Sequence, residues 1–597
     1  MDRARDILKT IFGYDSFRGE QEAIIAHVNS GQSCCVLMPT GSGKSLCYQI
    51  PAICRPGVGI IVSPLIALMN DQVSALKELG VSAACLHSGL DPQTRAKTYE
   101  ALKAGTLDLL YIAPERLMMD DFQQLLHEEI NVALIAIDEA HCISQWGHDF
   151  RPEYRQLADF RRRFPDVPCI AVTATADAPT RKDIMQALNL PTIYTAGFDR
   201  PNIHYTVASK DTPRQQLTAF LKTQDQGVSG IIYCLSRKKV DETAAFLVKE
   251  GYQALAYHAG MDAQMREIHQ NRFIKDDGII IVATIAFGMG INKPDVRFVA
   301  HMDLPKNIEA YYQETGRAGR DGLPAIAWMV YGMQDVALQR QMIEQSDSND
   351  TQKRIERQKL SSLVMYCEAA TCRRQVLLNY FGDKSGPCGN CDTCANPPKT
   401  FDGSVPAQKL LSCIYRSEQR FGAVYVIDVL TGKDDERIKK FGHDQISTFG
   451  IGTEYNAKEW QGIVRQLVSL NLIMVDMEGH NALRITDEGM AFLKNKTPLA
   501  LRHDERKTDP IKSAMRSKAA ALLENDEDKT LFAQLKAVRL SIAKSQNLPP
   551  YVIFHDKTLI EMVEQKPATL EALSQISGVG ESKLEKYGEA FLEALRA

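Results

Sequence analysis

The chain has 597 residues, 44% of them hydrophobic, so it is long enough to form several separate cores. Its formal net charge of −4 gives no overall indication of nucleic-acid binding, and any such surface must be local. Its apolar runs are shorter than a transmembrane helix and its N-terminus predicts an amphipathic helix rather than a secretory signal, so we expect a cytoplasmic protein without membrane contact.

A glycine-rich turn follows the first predicted strand. Residues 34–38 are apolar, as in a buried parallel strand, and Thr40-Gly41-Ser42-Gly43-Lys44-Ser45 comes directly after them. Glycines let backbone N–H groups point at phosphate oxygens, and we expect a helix to begin near Lys44. Lys44 is expected to reach the β- and γ-phosphates, and the Ser45 hydroxyl to bind Mg²⁺. The predicted phosphate site consists of Thr40, Gly41, Gly43, Lys44 and Ser45, the alternative being a chance glycine-rich turn.

Two acidic residues end a later apolar run. Residues 132–137 predict a second buried strand, and Asp138 and Glu139 follow it. Asp138 is expected to hold Mg²⁺ and Glu139 to polarise the attacking water. The two motifs occur in the order and spacing that a phosphate-binding parallel sheet requires. Together they predict an ATPase site.

The remaining patterns divide the chain into six segments. Strand and helix patterns alternate over two stretches, which predicts two parallel α/β lobes. Only the first contains a phosphate loop, so we expect a nucleotide at the interface, with residues of the second lobe acting in trans. The predicted segments are lobe 1 (1–199), lobe 2 (200–341), a helical cysteine-containing module (342–400), helices with a hairpin (401–500), a polar linker (501–523) and an all-helical domain (524–597).

A cysteine cluster follows the second lobe. Cys388, Cys391 and Cys394 form two overlapping Cys-x-x-Cys spacings, which allow thiolates to share one metal ion. Cys372, in the preceding helical stretch, would complete a four-sulfur structural zinc site, with Cys367 as the rival fourth ligand. An iron–sulfur cluster, a disulfide and free thiols remain alternatives.

Several segments in order carry a family resemblance. Residues 12–21, 63–69, 112–116, 173–175 and 313–322 resemble motifs of the RecQ family of DNA helicases, and the resemblance extends over nearly the whole chain. By that resemblance Gln21 would bind the adenine edge, Tyr14 would stack on the base and Arg18 would assist. The family usually has Pro-Gly where this chain has Gly19-Glu20. The resemblance also favours zinc, with Cys372 as its fourth ligand.

The segment 313–322 resembles the arginine-finger motif. An arginine aimed across the cleft would stabilise charge on the γ-phosphate, an effect worth roughly 10³–10⁵ in rate. We expect Arg320 to be the finger and Arg317 to make a second phosphate or interface contact. The Thr173 and Thr175 hydroxyls suit relay contacts between nucleotide and DNA, and residues 283–291, which include Gly288 and Gly290, resemble a segment that couples the lobes.

Residues 142–154 resemble the aromatic-rich loop of the RecQ family. Trp146, Phe150 and Arg151 would engage unpaired DNA, where stacking is worth roughly 1–3 kcal/mol per base, and Gln145 and His148 would relay the contact. The alternative is that the aromatic side chains pack under the loop.

The last two domains also carry the resemblance. Residues 401–500 resemble a winged-helix domain, whose wing would place His480 at the duplex junction. Residues 524–597 resemble the small helical domain shared by helicases and ribonuclease D. There Tyr551 would stack on a base, Lys583 would meet phosphate, and the turn 578–580 could cradle a phosphate. A merely exposed His480 and a core Tyr551 are the alternatives.

The resemblance implies an ATP-dependent helicase that moves 3′ to 5′ and unwinds duplex and branched DNA in recombination, repair and replication-fork maintenance. ATP, Mg²⁺ and Zn²⁺ are the expected cofactors. Expected partners are tailed or branched DNA and a single-stranded-DNA-binding protein, for a nucleoid-associated monomer. An RNA helicase and a DNA-binding scaffold with weak ATPase activity are the alternatives.

Overall fold

The protein is described by a computed structural model, which covers residues 1–144, 151–225, 227–287, 293–476, 482–495, 497–503 and 525–596. Among these residues no helix is both long and apolar enough to cross a membrane.

The described residues of lobe 1 form a sheet of seven parallel strands in the order β3-β4-β2-β5-β6-β1-β7. The central strands are apolar and buried on both faces because helices cover both sides of the sheet. The strands are β1 Cys34–Leu37, β2 Val58–Val62, β3 Ala83–Leu86, β4 Leu109–Ile112, β5 Val132–Ile137, β6 Cys169–Thr173 and β7 Thr192–Thr195. The helices are α1 Asp2–Thr10, α2 Gln21–Asn29, α3 Leu46–Cys54, α4 Ile66–Glu78, α5 Pro92–Lys103, α6 Pro114–Leu117, α7 Asp120–Glu128, α8 Pro152–Arg155, α9 Leu157–Arg163 and α10 Ala178–Leu188, with a 3₁₀ turn at Ala140–Ile143.

Lobe 2 has the same construction. Its described residues form a sheet of six parallel strands in the order β10-β11-β9-β12-β13-β8. The strands are β8 Ile203–Ser209, β9 Ser229–Tyr233, β10 Ala254–Tyr257, β11 Ile280–Ala283, β12 Val296–His301 and β13 Ala325–Tyr331. The helices are α11 Pro213–Leu221, α12 Arg237–Lys249, α13 Ala263–Lys275, α14 Ile308–Thr315 and α15 Met333–Glu344.

A helical module and a winged-helix domain come next. The module consists of α16 Asp350–Glu368, α17 Arg373–Tyr380 and α18 Asp392–Ala395. The winged-helix elements are α19 Ser404–Arg416, α20 Ala423–Leu430, α21 Glu436–Lys440, α22 Ala457–Ser469 and α23 Asp487–Asn495, a 3₁₀ turn at His443–Gln445, and two antiparallel pairs, β14 Thr400–Asp402 with β17 Ala500–Arg502 and β15 Ile473–Asp476 with β16 Ala482–Ile485.

The final domain is helical throughout its described residues. Its helices are α24 Asp526–Ser545, α25 Pro550–Ile553, α26 Asp556–Gln565, α27 Leu570–Leu573 and α28 Glu581–Arg596. The predicted fold class is therefore confirmed: two parallel α/β lobes precede a cysteine-containing helical module, a winged-helix domain and a small helical domain.

Candidate active site and nucleic-acid interface

The phosphate loop lies at the carboxyl end of β1, between the two lobes. Gly41 and Gly43 adopt φ angles of +81° and +80°, which favour glycine. A Cβ on Gly41 would also lie 3.2 Å from the Cα of Arg320, and one on Gly43 would lie 2.6 Å from Nε2 of Gln21. The loop is therefore enclosed by the predicted finger residue on one side and by the predicted adenine motif on the other.

The adenine motif packs directly on the phosphate loop. Gln21 Nε2 donates to the carbonyl oxygens of Ser42 (3.0 Å) and Gly43 (3.2 Å), and Gln21 Oε1 accepts from the Arg18 backbone N–H (2.9 Å). The Arg18 guanidinium lies 5.6 Å from the centre of the Tyr14 ring, and burial raises the pKa of Tyr14. Gln21 Oε1 accepts this one bond and has a second lone pair that an adenine N–H could use, so adenine binding by Gln21 stays a prediction.

The two acidic residues lie near Lys44 in the cavity between the lobes. Asp138 Oδ1 accepts from the Glu139 backbone N–H at 2.9 Å. Burial, reinforced by the Glu139 charge, raises the pKa of Asp138 to about 7. Burial also lowers the pKa of Lys44, and Glu139 and Asp138 oppose that shift. The charges of Lys44 and of the two acidic residues therefore act on one another across the site.

A chain of polar contacts leads from the acids to lobe 2. Glu139 Oε2 lies 3.3 Å from Nδ1 of His141, and the same nitrogen lies 2.9 Å from Oγ1 of Thr173. The Thr173 hydroxyl donates to the Thr175 carbonyl at 3.2 Å, and Gln313 Nε2 donates to Oγ1 of Thr175 at 3.0 Å. The two threonines predicted as a relay thus lie between the two acidic residues and α14 of lobe 2.

Two arginines of lobe 2 complete the cleft. Arg317 and Arg320 follow α14 and line a cavity of about 520 Å³. Lys44, Asp138 and Glu139 of lobe 1 line the same cavity. Burial, together with the nearby Arg317 charge, lowers the pKa of Arg320 to about 9, so its guanidinium still carries a charge at pH 7. The structure therefore brings the predicted phosphate, acid and finger residues to one cleft.

The four predicted zinc ligands converge. The Sγ atoms of Cys372, Cys388, Cys391 and Cys394 all lie within 4.8 Å of one another. The Cys388–Cys394 and Cys372–Cys391 sulfur distances are 4.0 and 3.9 Å, close to the roughly 3.8 Å that tetrahedral Zn–S bonds of about 2.3 Å require. All fourteen cysteines lie within the described residues and are free, so the disulfide alternative is excluded.

The sulfurs also accept backbone hydrogen bonds. Cys372 Sγ accepts from the N–H groups of Gln375 (3.4 Å) and Cys388 (3.3 Å), and Cys388 Sγ accepts from that of Asn390 (3.3 Å). These contacts stabilise thiolates, the form that binds metal. Among the described residues Cys367 is not part of the cluster, which favours Cys372 as the fourth ligand.

Comparison with known proteins identifies the chain's relatives. Family models match in the order of the domains: DEAD/DEAH box helicase (residues 18–184), Helicase conserved C-terminal domain (213–322), RecQ zinc-binding (333–395), RQC domain (397–510) and HRDC domain (528–595). The chain is 47% identical to the ATP-dependent DNA helicase RecQ of Haemophilus influenzae, covering 99% of this chain and 96% of the relative. The RecQ proteins of Pasteurella multocida (46%, covering 99% and 93%) and Bacillus subtilis (40%, covering 100% and 99%) are similar over the same span.

The chain belongs to the RecQ family. ATP use and a zinc site follow from the matched helicase and RecQ zinc-binding families together with the four-cysteine cluster.

Two buried arginines of the RecQ zinc module hold the module together and attach it to lobe 2. Arg373 donates to Asp392 and to the carbonyl oxygens of Tyr366 (2.9 Å) and Cys367 (3.1 Å). Arg374 donates to the Ile203 carbonyl at 2.7 Å. Both side chains are buried, so the arginines next to Cys372 are structural rather than solvated or available to phosphate.

The C-terminal RecQ domain closes one side of the cleft. The Gly578 N–H donates to the Gly13 carbonyl at 2.7 Å, so the turn expected to cradle a phosphate binds lobe 1 instead. Glu78, at the end of α4, accepts from the Tyr587 hydroxyl (3.1 Å) and forms an ion pair with Lys586 (3.0 Å), while Ser582 donates to its carbonyl (2.9 Å).

This docking determines where Tyr551 and Lys583 lie. Tyr551 lines the cavity beside the nucleotide site, and burial raises its pKa. The Lys583 ammonium lies 5.8 Å from the centre of the Phe554 ring, and burial lowers its pKa to about 8. DNA contacts by either residue stay predictions that require this domain to leave the cleft.

Of the predicted DNA-contacting loop, Arg151 is described. Its Nη1 donates to the Pro64 carbonyl at 3.2 Å, and its backbone N–H donates to the Cys142 carbonyl at 3.0 Å, which places it beside the motif 63–69. The other predicted residues of this loop, the wing and the coupling segment lie outside the described residues: Gln145, Trp146, His148, Phe150, His480, Gly288 and Gly290.

Sequence reasoning assigned no role to two residues that the structure places in important contacts. Arg200 bridges the phosphate loop and the finger loop, and Glu78 receives the C-terminal domain. Their partners include backbone carbonyl groups and side chains about 500 positions away, so no local pattern could have identified them.

Proposed function

We propose that this chain is an ATP-dependent DNA helicase that hydrolyses ATP between its two lobes and translocates 3′ to 5′. The observation that supports this proposal most strongly is the cleft in which Lys44, Asp138 and Arg320 face one cavity from two lobes. Lys44 would bind the β- and γ-phosphates, and Arg320 would stabilise charge that develops on the γ-phosphate.

Mg²⁺ fits this site by the chemistry of its donors. Ser45 offers a hydroxyl and Asp138 a buried carboxylate, the oxygen ligands that Mg²⁺ takes beside substrate phosphates. Bound there, the ion would neutralise phosphate charge. Glu139 would orient and polarise the attacking water, and the contacts through His141 to lobe 2 would link that step to lobe movement.

DNA rather than RNA is the proposed substrate because the zinc-binding, RQC and HRDC modules are all present, and relatives with this arrangement are named DNA helicases. The winged-helix domain would separate the duplex. We further propose roles in recombination, repair and replication-fork maintenance at the nucleoid, a single-stranded-DNA-binding protein as partner, and a monomeric enzyme.

Unwinding of tailed duplexes tests the proposal. Wild type, Lys44→Ala and the control Lys103→Ala are compared on DNA and RNA duplexes with 3′ or 5′ tails; Lys103 forms a surface ion pair with Glu129. We expect ATP-dependent unwinding of 3′-tailed DNA by wild type and the control, and none by Lys44→Ala. A preference for RNA would favour the RNA-helicase alternative, and DNA binding without unwinding would favour the scaffold.

A further inference from the structure

Arg200 lies at the junction of the two lobes, three residues before β8. Its side chain is buried, and its guanidinium donates to the phosphate loop and to the finger loop. Nη1 donates to the carbonyl oxygens of Thr40 (2.7 Å) and Gly316 (3.0 Å), and Nη2 donates to those of Ala318 (2.8 Å) and Gly319 (2.9 Å).

These acceptors belong to two separate parts of the catalytic cleft. Thr40 precedes the phosphate-binding glycines of lobe 1, whereas residues 316–319 connect α14 to the finger residue Arg320. A second bond joins the same loops, since the Thr40 hydroxyl donates to the Gly316 carbonyl at 2.8 Å. Arg200 therefore connects the position of the phosphate loop with that of the arginine finger.

The guanidinium suits this role because its N–H donors have a fixed planar arrangement. Carbonyl groups that follow the last turn of α14 carry the negative end of the helix dipole, which favours a cation there. Among the described residues Arg200 forms no ion pair with a carboxylate, so carbonyl oxygens are the groups that hold its charge. A lysine ammonium has three donors at one point and could not reach four carbonyls on two loops.

We propose that Arg200 is a positioning residue for ATP hydrolysis, which holds the arginine-finger loop in register with the phosphate loop. The inference rests on the proposed ATPase function of the cleft. Arg200 touches protein carbonyls rather than phosphate, so it acts through the placement of Arg320. Its loss lets the finger loop shift relative to the γ-phosphate while Lys44 and the adenine motif keep their own contacts.

The test measures DNA-stimulated ATP hydrolysis by full-length Arg200→Lys. Misplacement of a reacting group by about 1 Å can cost roughly 10²-fold, so we expect kcat to fall by about that factor while KM for ATP changes by no more than about threefold. Arg55→Lys is the matched control, since Arg55 donates to the carbonyls of Ala133 (2.8 Å) and Asn29 (3.0 Å) within lobe 1 alone. The control is expected to keep the wild-type kcat.

Arg200→Gln distinguishes the effect of the planar guanidinium donors from the effect of the positive charge, because it removes the charge and keeps two N–H donors. It also replaces Arg200→Lys if that variant melts below the assay temperature. We expect kcat to fall in both variants. Wild-type kcat in Arg200→Lys with a loss in Arg200→Gln would mean that charge alone matters, and would overturn the positioning role.

A double-variant cycle tests whether Arg200 acts through Arg320. In single-turnover hydrolysis, Arg200→Lys is expected to add little to the defect of Arg320→Ala, because the finger whose position it controls is already absent. Independent, multiplicative losses would refute the inference, as would a defect confined to KM. An inactive wild type would instead refute the proposed ATPase function, so the two failures are distinguishable.

Discussion

The contact between the lobes predicts that one added methyl group will oppose closure of the cleft. Gly316 caps α14 with φ −63° and ψ −9°, a conformation that alanine adopts readily. However, a Cβ at this position would lie 2.5 Å from the Thr40 hydroxyl of the other lobe, and 2.9 Å from the Tyr312 carbonyl within its own turn. Gly316→Ala should therefore strain the turn of α14 whether the lobes are open or closed, and should in addition disfavour the arrangement in which the two loops touch.

The magnitude follows from the cost of overpacking. Forcing an extra methyl group into a packed contact costs about 1–3 kcal/mol. The Tyr312 contact is present in both states, whereas the Thr40 contact exists only when the lobes meet, so the part of this cost that comes from Thr40 falls on the closed state. A cost of that size reduces the closed population by about 5- to 150-fold, and we expect kcat for ATP hydrolysis to fall within that range.

The assay is DNA-stimulated ATP hydrolysis together with a melting curve. Gly332→Ala is the control, because a Cβ there would meet Lys210 Cβ at an ordinary 3.6 Å. Adding Thr40→Ala removes the clashing hydroxyl, so Gly316→Ala should cost little when compared with Thr40→Ala alone. Wild-type kcat in Gly316→Ala would refute the reasoning. An undiminished Gly316→Ala defect in the Thr40→Ala background would assign it to the helix turn rather than to the lobe contact.

Three further outcomes are expected. Cys394→Ala should abolish the one-to-one zinc content measured by atomic absorption and lower the melting temperature, whereas Cys367→Ala should retain zinc, and equal loss in both would contradict the assigned ligands. Glu368→Gln removes the buried carboxylate that pairs with Arg465 (3.4 Å) and Arg502 (2.6 Å), so chemical unfolding should show a loss of about 1.5–3 kcal/mol, and an unchanged midpoint would contradict it. Since the pKa of Asp138 is raised to about 7, the carboxyl is protonated below that pH and Mg²⁺ must displace the proton. The Mg²⁺ concentration for half-maximal ATPase activity should therefore rise as pH falls from 8 to 6. A flat profile would contradict the assignment of Asp138 as a Mg²⁺ ligand.

The sequence predicts those parts of the site whose residues lie close together along the chain. The phosphate loop, the paired acids and the clustered cysteines each lie within a few residues of one another, or follow a strand whose end determines their position. The strand patterns were correct for the same reason, since an apolar run between helix patterns is buried wherever the sheet forms. The predicted helix after the phosphate loop begins at Leu46, two residues beyond Lys44.

The contacts between distant segments could not be predicted from the sequence. Arg200 binds carbonyl oxygens, which every residue carries, so no side-chain pattern marks its partners. A pair of arginines such as Arg373 and Arg374 next to Cys372 has the same appearance in the sequence whether it binds phosphate, faces solvent or is buried. Arg373 is buried inside the zinc module and Arg374 against lobe 2, and both depend on how the module packs, which one sequence does not specify.

The turn 578–580 of the C-terminal domain could make either of two contacts, with a phosphate or with lobe 1. The N–H of Gly578 can bind a phosphate or the Gly13 carbonyl, and in this arrangement it binds Gly13 at 2.7 Å. A Cβ on Gly580 would lie 2.7 Å from the Ile11 carbonyl, so the turn is in close backbone contact with the end of α1, directly before the adenine motif. Phosphate binding by this turn and docking against lobe 1 therefore use the same surface, and one excludes the other. Tyr551 faces the nucleotide cavity in the docked arrangement, and any base stacking by it belongs to an undocked one.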